Sequence, residues 1–248
     1  MKTVAIIQAR MGSTRLPGKV MKKLSGKSVL EHVIRRVQAC RLLDDVVVAT
    51  TLSPADDVIV AEAEQCGAKW FRGNEEDVLD RYYRAAEQFQ ADVVVRVTSD
   101  CPLFDPELLG KMILSFRTMN SRDKPLDYLS NTLRRTFPLG LDAEVFPWNA
   151  LEYAHFHSRN QYEREHVTPY IYEHPEIFSL HSFEGNEDLS CHRWTLDTED
   201  DLKLISKIYS ELYRENEIFP TNRVIALLGA NLEWKEINGH VRQKKLGE

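Results

Sequence analysis

Hydrophobic and polar residues follow two alternating patterns along the first half of the chain. Short apolar runs predict strands buried on both faces of a parallel sheet at residues 3–8, 45–50 and 92–98, with a shorter strand at 68–71. Amphipathic segments follow these runs and predict helices at residues 28–40, 53–67, 76–89 and 105–116. Four strands that are each followed by a helix indicate an α/β fold with a mostly parallel central sheet and helices on both faces.

The pattern becomes less regular after residue 120. Further strands are predicted at residues 127–131, 137–146, 178–183 and 193–196. Further helices are predicted at residues 148–157, 163–174 and 198–213. We interpret these elements as an insertion that shapes a substrate pocket or a subunit contact (121–175), a return to the sheet with C-terminal helices (176–228) and a weakly patterned tail (229–248).

The loop at residues 9–19, directly after the first predicted strand, concentrates positive charge. It contains Arg10, Arg15 and Lys19, together with Gly12 and Gly18. Arginine matches phosphate oxygens, lysine adds a point charge, and glycine lets backbone amides approach a ligand. The loop therefore predicts a polyphosphate site, although an ordinary strand-to-helix turn can have the same composition. Its glycine spacing fits neither a Walker A loop nor the G-x-G-x-x-G motif of dinucleotide-binding folds.

Composition narrows the class of protein and of ligand. The chain has 248 residues, of which 43% are hydrophobic, so it can bury a full globular core. Its net charge of −6 argues against binding along a nucleic acid, and cations gathered in one loop favour a small anionic ligand instead. Without a long apolar stretch or a signal peptide, we expect a cytoplasmic protein that does not contact a membrane. Four cysteines without a C-x-x-C pair predict reduced thiols rather than a zinc site.

Two aspartates are candidates for metal binding. Asp100 follows the predicted strand 92–98, and Asp197 follows the predicted strand 193–196. Mg²⁺ usually takes one or two protein carboxylates together with phosphate oxygens and waters, which fits two aspartates that face a cationic loop. Each aspartate also has an alternative interpretation as the cap of a turn or helix.

Six blocks of the chain form a recognisable set. They are QARMGSTRLPGK (8–19), RGNEEDVLDRY (72–82), RVTSDCPL (96–103), GLDAEV (140–145), REHVTP (164–169) and RWTLDTED (193–200). Together they resemble the cytidylyltransferases of the acylneuraminate and KDO type, and within that family the SpsF branch of spore-coat polysaccharide biosynthesis. The resemblance implies a Rossmann-like nucleotidyltransferase fold of the glycosyltransferase-A type. It also implies Mg²⁺-dependent transfer of CMP from CTP to an acidic sugar or a related acidic acceptor, with release of pyrophosphate, in surface polysaccharide biosynthesis.

The resemblance further implies roles for individual residues. The catalytic residues would be Arg10, Lys19 and Asp100, and the metal ligands would be Asp100 and Asp197. The nucleotide-binding residues would be Arg10, Gly12, Ser13, Arg15, Lys19, Arg72, Asp80 and Arg81. The acceptor-binding residues would be Gly140, Asp142, Glu144, Arg164 and His166. The chain would then be a single domain (1–248) with a nucleotide-binding half (1–120), and a homodimer whose subunits meet through residues 121–175.

Two other functions are compatible with this fold class. A glycosyltransferase that uses a nucleotide-sugar donor usually carries a D-x-D metal motif, whereas Ser99-Asp100-Cys101 lacks the second carboxylate. A non-catalytic nucleotide-binding protein would have no need of three loop cations and two candidate metal aspartates. Both features favour the cytidylyltransferase.

Overall fold

The computed structural model of the chain describes residues 1–120 and 125–243. The strands are β1 Thr3–Gln8, β2 Lys23–Leu24, β3 Lys27–Ser28, β4 Asp45–Thr51, β5 Lys69–Gly73, β6 Val93–Thr98, β7 Tyr128–Ser130, β8 Glu144–Pro147 and β9 Leu180–Ser182. The helices are α1 Val29–Gln38, α2 Asp57–Gln65, α3 Val78–Gln88, α4 Pro106–Asn120, α5 Trp148–His157, α6 Gln161–His166, α7 Pro169–Tyr172, α8 Glu199–Leu212 and α9 Thr221–Ala230. Short 3₁₀ turns lie at Lys19–Met21, Pro54–Asp56 and Leu232–Glu236.

The central sheet is mostly parallel, as the sequence predicts. Within the described residues it has seven strands in the order β5-β4-β1-β6-β8-β7-β9. Strands β5, β4, β1 and β6 run parallel to one another, and β8 is antiparallel to both of its neighbours, β6 and β7. Because β1 and β6 are adjacent and parallel, the loops that follow them leave the same edge of the sheet.

The sheet is buried on both faces by helices. One face of β1 contributes Ala5 and Ile7 to a cluster with apolar residues of α1, α2, α4, α8 and α9. The other face contributes Val4 and Ile6 to a cluster with α3, α5 and α7. Alternate residues of one strand therefore enter two different cores, which explains why the strand is a continuous apolar run in the sequence.

Side-chain caps fix where several helices begin. The Ser28 hydroxyl accepts a hydrogen bond from the Glu31 amide at 2.8 Å, as the sequence pattern of a capping box suggests. Asp105 caps α4, and this helix continues beyond the predicted end at Phe116 to Asn120. At the start of α8, Thr198 and Asp201 form a reciprocal capping box. Local chemistry therefore determines the starts of these helices well.

Three predicted elements in the second half of the chain are wrong. The strand at 137–146 is reduced to Glu144–Pro147, because Pro138 and the positive φ of Gly140 (+106°) interrupt the extended backbone. The helix at 163–174 is split into α6 and α7 at Val167. The strand at 193–196 is irregular, with a single parallel bridge between Arg193 and Leu139. In each case tertiary contacts or one backbone kink override the local pattern.

Two further expectations concern membrane spans and thiols. Among residues 1–120 and 125–243, no helix combines the length and the apolar character that a bilayer span requires. The four cysteines are free thiols, of which Cys40 and Cys101 are buried and Cys191 is exposed. The predicted segments 121–175 and 229–248 each include positions outside the described residues, namely 121–124 and 244–248.

A buried histidine makes the stability of the protein sensitive to acid. Burial between α1 and α8 lowers the pKa of His32 from 6.5 to about 4, although its Nε2 donates a hydrogen bond to the Leu24 carbonyl at 2.8 Å. As pH falls from 6.5 to 4, the unfolded chain takes up a proton that the folded chain does not. We therefore expect this histidine to lower the free energy of unfolding by about 3 kcal/mol across that window. The His32→Gln variant should show a correspondingly flatter pH dependence in urea unfolding, and identical slopes for the two proteins would contradict the assignment.

Candidate active site

The carboxyl ends of β1 and β6 bring the cationic loop and Asp100 to one edge of the sheet. β1 ends at Gln8, and its carbonyl accepts a hydrogen bond from the Ser99 amide at 3.1 Å. The loop after β1 turns at Gly18, whose φ of +65° caps the short turn that carries Lys19. Residues that are 81 positions apart in the chain, Lys19 and Asp100, thereby come into direct contact.

Asp197 reaches the same place through an irregular segment rather than through a strand end. The Leu196 amide donates to the Asp100 carbonyl at 2.8 Å, and Leu139 forms a parallel bridge with Arg193. Gly140 allows this close approach, since a Cβ atom at position 140 would lie 2.6 Å from the Thr195 amide nitrogen. Backbone hydrogen bonds therefore hold Asp197 beside Asp100.

The Lys19 ammonium group lies between the two aspartates. Its Nζ is 2.6 Å from Oδ2 of Asp100 and 2.8 Å from Oδ1 of Asp197, and the side chain is only 13% exposed. Burial opposes the charged form of Lys19, but the two carboxylates outweigh it and raise the pKa of the amine. Burial likewise opposes the charged form of Asp100, and Lys19 outweighs it and lowers the pKa of the carboxyl. Both directions favour the charged forms of Lys19 and Asp100 at neutral pH.

Two arginines neutralise the other oxygen of Asp197. Arg15 Nη2 lies 2.9 Å and Arg193 Nη2 lies 3.0 Å from Oδ2 of Asp197. Arg193 also binds the fully buried Asp201, through Nε at 2.9 Å and Nη2 at 3.0 Å. The cluster of Arg15, Lys19, Arg193, Asp100, Asp197 and Asp201 thus contains three positive and three negative charges. It is a closed, neutral network at the sheet edge.

The rest of the cationic loop is more open. Arg10 is about half exposed and lies 3.5 Å from the carboxylate of Glu75, which also approaches Gly12. The Ser13 amide donates to the Met11 carbonyl at 2.9 Å, so this amide is already satisfied within the loop. The Met11 amide donates at 2.8 Å to Asp56, a buried side chain that joins the loop to the end of β4. The loop therefore presents Arg10 outward on an anchored backbone.

Of the three predicted nucleotide-binding residues on β5 and α3, two make contacts that stabilise the scaffold. Arg72 donates to the carbonyls of Thr51 and Ser53 and binds Asp57 at 2.6 Å, so it secures the β4–α2 connection. Asp80 contacts His155 Nε2 at 2.9 Å and thereby joins α3 to α5.

The third, Arg81, is different. It is 2% exposed, and its hydrogen bond to a protein group is donated to the Asn74 carbonyl at 2.7 Å. Within the described part of the chain, its buried Nε has no hydrogen-bond partner. Burial lowers the pKa of this guanidinium, which lies close enough to Arg10 to be repelled by it. Arg81 is thus a buried cation without a carboxylate partner among the described residues, on the same side of the site as Arg10.

The predicted acceptor residues include two carboxylates that are each paired with an arginine. Asp142 accepts two hydrogen bonds from Arg135, at 2.6 and 3.0 Å. Glu144 on β8 binds Arg96 on β6 and accepts a hydrogen bond from the Tyr128 hydroxyl at 3.0 Å. Burial opposes the charged form of Arg96, but Glu144 outweighs it and raises the pKa of the guanidinium. Both negative charges are therefore compensated within the protein.

Arg164 and His166 lie on α6, at a strained turn. Arg164 binds Asp77 at 2.7 Å and the His155 carbonyl at 3.0 Å, so it fastens α6 to α3 and α5. The next residue after His166, Val167, has φ +75° and ψ −56°, and the Thr168 amide donates to the His166 carbonyl at 2.9 Å. This is a γ-turn of the strained type, which a β-branched residue rarely adopts. Burial lowers the pKa of His166, Glu165 partly offsets this effect, and the nearby Arg96 lowers the pKa further.

The two aspartates fit a hard divalent cation. Oδ2 of Asp100 and Oδ1 of Asp197 both contact one positively charged atom, Lys19 Nζ, so they converge on a single point. Two carboxylates are the usual protein contribution to a Mg²⁺ site that is completed by phosphate oxygens and waters. In residues 1–120 and 125–243, no group of three or more His, Cys, Asp or Glu side chains is arranged to hold a metal by itself. The two carboxylates therefore suit a metal ion whose remaining ligands come from an anionic ligand and from water.

Sequence reasoning missed several residues of this site. They are Asp56, Arg96, Arg135, Arg193 and Asp201. The sequence contained a signal for one group, because Arg193, Asp197 and Asp201 are spaced four residues apart and the first two lie in the block 193–200. The pair Arg96–Glu144 joins two strands that are 48 positions apart in the chain, so no local pattern could have revealed it. Arg135 and Asp142 are seven residues apart in the irregular connection between β7 and β8, where no helical or strand periodicity pairs them.

Comparisons with known proteins show the family to which the chain is similar. A family model described as Cytidylyltransferase matches residues 4–225. The spore coat polysaccharide biosynthesis protein SpsF of Bacillus subtilis is 34% identical over 233 residues, covering 91% of this chain and 93% of SpsF. A 3-deoxy-manno-octulosonate cytidylyltransferase of Geotalea daltonii is 31% identical, covering 69% of this chain and 75% of that protein. A solved cytidylyltransferase structure from Leptospira borgpetersenii superposes with a TM-score of 0.89 at 33% identity, covering 99% of this chain and 100% of that one.

Replacement of Gly140 tests how strongly the site depends on the close backbone approach. In Gly140→Ala the new Cβ would require a backbone shift, in addition to the strain of φ +106°. We expect the free energy of unfolding to fall by about 3 kcal/mol. Gly67→Ala is a matched control, since Gly67 has φ +67° but open space around its Cβ position, and it should cost about 1 kcal/mol. Equal losses for the two variants in denaturant unfolding would show that the approach at position 140 is unimportant.

Proposed function

The chain belongs to the cytidylyltransferase family and is a nucleotidyltransferase, and we propose that it transfers CMP from CTP to an acidic sugar or a related acidic acceptor. The proposed reaction depends on Mg²⁺, releases pyrophosphate and serves surface polysaccharide biosynthesis. The observation that carries this proposal is the contact of the Lys19 ammonium group with both Asp100 and Asp197. It joins a phosphate-binding cation to the two candidate metal ligands at the edge of the sheet where such folds bind ligands.

The loop at residues 9–19 binds the triphosphate. Arg10 is the accessible cation and makes the first contact, while Arg15 and Lys19 lie deeper and contact oxygens close to the reacting phosphorus. Gly12 lets the phosphates approach the backbone, and the Ser13 hydroxyl supplies a further donor, since its amide is already used. Because the loop is anchored through Asp56, these donors are held in place before the ligand arrives.

Attack of an acceptor oxygen on the α-phosphorus builds negative charge on the non-bridging oxygens and on the departing pyrophosphate. Lys19 and Arg15 stabilise that charge electrostatically, and neither has to transfer a proton to do so. Asp100 and Asp197 would hold the Mg²⁺ ion, which neutralises phosphate charge and polarises the phosphorus. The protein thus contributes alignment and fixed charge rather than covalent chemistry.

Arg81 is the strongest candidate for recognition of the nucleoside. It is a buried cation with an unpaired Nε beside Arg10, so hydrogen bonding to a carbonyl oxygen of the base would satisfy it. Arg72 and Asp80 act less directly in this proposal, because their charged groups are held by Asp57 and His155. They would position the backbone on which the base and ribose rest.

The acceptor side consists of Gly140, Asp142, Glu144, Arg164 and His166. Arginines compensate both of its carboxylates, so the pocket does not repel an acidic sugar electrostatically. His166, held at the strained turn before Val167, would contact the acceptor in its neutral form. Arg164 would keep α6 in position through Asp77.

Assembly, domain organisation and location complete the proposal. The chain would act as a homodimer in the cytoplasm, with contacts through the 121–175 segment, of which 125–175 are described. We also propose a single domain (1–248). It would consist of a nucleotide-binding half (1–120), a segment for the acceptor and the dimer contact (121–175), a return to the sheet with C-terminal helices (176–228) and a tail (229–248). Sedimentation would show the oligomeric state.

Pyrophosphate release tests the function directly. CTP, UTP, ATP and GTP would each be offered with Mg²⁺ and a panel of acidic sugars, with neutral sugars as controls. We expect release only with CTP and an acidic acceptor. Turnover of a nucleotide sugar without pyrophosphate would instead indicate a glycosyltransferase, and triphosphate binding without any turnover would indicate a non-catalytic protein.

Variants at the site test the assigned roles. Lys19→Ala and Asp100→Ala should each lower the rate of pyrophosphate release by about 10²–10³-fold, because the first removes a cation that stabilises the transition state and the second removes a ligand of the metal that would do so. Lys22→Ala is the matched control, since Lys22 lies three residues away and contacts Glu199 at the surface at 3.4 Å. It should retain the wild-type rate. Circular dichroism would verify the fold of each variant, and wild-type turnover in folded Lys19→Ala would refute the assignment.

A further inference from the structure

The free protein holds a cation of its own between the two candidate metal ligands. The ammonium group of Lys19 contacts Oδ2 of Asp100 at 2.6 Å and Oδ1 of Asp197 at 2.8 Å. The same two carboxylates would hold the divalent ion in the proposed function. We infer that Lys19 occupies the metal position in the free protein, so the divalent cation enters only after a triphosphate has drawn Lys19 away. This inference rests on the proposed function and concerns the order of binding at the same site.

Charge balance supports this order. Arg15 and Arg193 contact Oδ2 of Asp197, while Lys19 contacts its Oδ1, so three cations surround this carboxylate. The six-residue cluster is already neutral, with Asp201 as its third anion. A divalent cation that approached alone would meet these three positive side chains in a partly buried site, where charges are weakly screened.

A triphosphate reverses this balance. Its phosphate oxygens can replace the aspartates as partners of Lys19 and Arg15. The aspartates are then free to bind the metal. Arg10 is about half exposed and contacts only the exposed Glu75 among the described charges, so it can capture the ligand before the buried cluster opens. These two changes of partner are coupled. Lys19 leaves the carboxylates for the phosphates, and the metal then binds the carboxylates in place of the ammonium group. Because such coupling is reciprocal, the nucleotide must raise the affinity for the metal by the same factor by which the metal raises the affinity for the nucleotide.

The inference predicts opposite effects of one substitution on two ligands. In Lys19→Met the aspartates lose the bridging cation, so Mn²⁺ should bind without nucleotide about tenfold more tightly or better than it binds wild type. The same variant should bind the non-cleavable analogue α,β-methylene-CTP more weakly, because it has lost a phosphate contact. A variant that is only structurally damaged would weaken both ligands.

The experiment measures Mn²⁺ by the loss of the free-ion electron paramagnetic resonance signal, with and without α,β-methylene-CTP. Wild type should bind Mn²⁺ tightly only with the analogue present. Lys22→Met serves as the control of equal charge change outside the cluster and should behave as wild type. Asp197→Asn in the Lys19→Met background should abolish the gain. Thermal melting would establish that each variant is folded. If Lys19→Met does not fold, Lys19→Gln, which can still donate a hydrogen bond to one carboxylate, would be used in its place.

The outcomes separate this inference from the proposed function. Equal nucleotide-free Mn²⁺ affinity in wild type and in the folded Lys19 variant would overturn the inference, even if CTP-dependent pyrophosphate release is intact. Weaker binding of both Mn²⁺ and the analogue by the folded variant would overturn it as well. Failure of the proposed function would instead appear as wild-type protein that neither binds the analogue nor releases pyrophosphate.

Discussion

One ammonium group, that of Lys19, joins two carboxylates from remote parts of the chain, and this contact requires three segments to meet. Lys19 lies 81 positions from Asp100 and 178 positions from Asp197 along the chain, yet Nζ is within 2.8 Å of both side chains. A partly buried carboxylate without a partner is costly, so the three segments that carry these residues have to be positioned together. The sheet positions two of these segments, because β1 and β6 are adjacent and parallel. The third has no strand of its own and depends on backbone contacts with the others.

That third segment explains several features that otherwise look unrelated. Gly140 allows the close approach of the chain to Trp194 and Thr195. Asp201 caps α8 and binds Arg193, which in turn contacts Asp197. Asn238 donates to the Arg193 carbonyl and to Asp201, at 3.0 and 2.9 Å. The C-terminal region therefore contributes to the site, although it lies far from the cationic loop in sequence.

The site is electrostatically satisfied before any ligand is present. Lys19 contacts Asp100 and Asp197, Glu75 lies beside Arg10 and Gly12, and arginines pair with Asp142 and Glu144. Such internal pairing lowers the cost of burying charge in the free protein. Under the proposed function, ligands would bind by exchange of these partners, so a ligand that supplied only one sign of charge would leave the exchange incomplete. Arg81 departs from this pattern, since this buried guanidinium has no carboxylate partner among the described residues.

Local sequence patterns were sufficient to predict the main strands and helices of the first half of the fold and the concentration of positive charge in the loop at residues 9–19, but not the short strands β2 and β3. The predicted β1, β4 and β6 agree closely with the observed strands. A short continuous apolar run such as 45–50 indicates a strand that is buried on both faces of a sheet. The resemblance to cytidylyltransferases is confirmed by the family model and the relatives, while the individual site residues remain predictions. Only the tertiary structure decided the partners of these residues. Asp197 reaches Lys19 through an irregular segment that looked like a strand, and a helix predicted from its periodicity is broken at Val167. The physical reason is that charge pairing and positive-φ turns depend on contacts between remote segments, whereas hydrophobic periodicity is a local property of the chain.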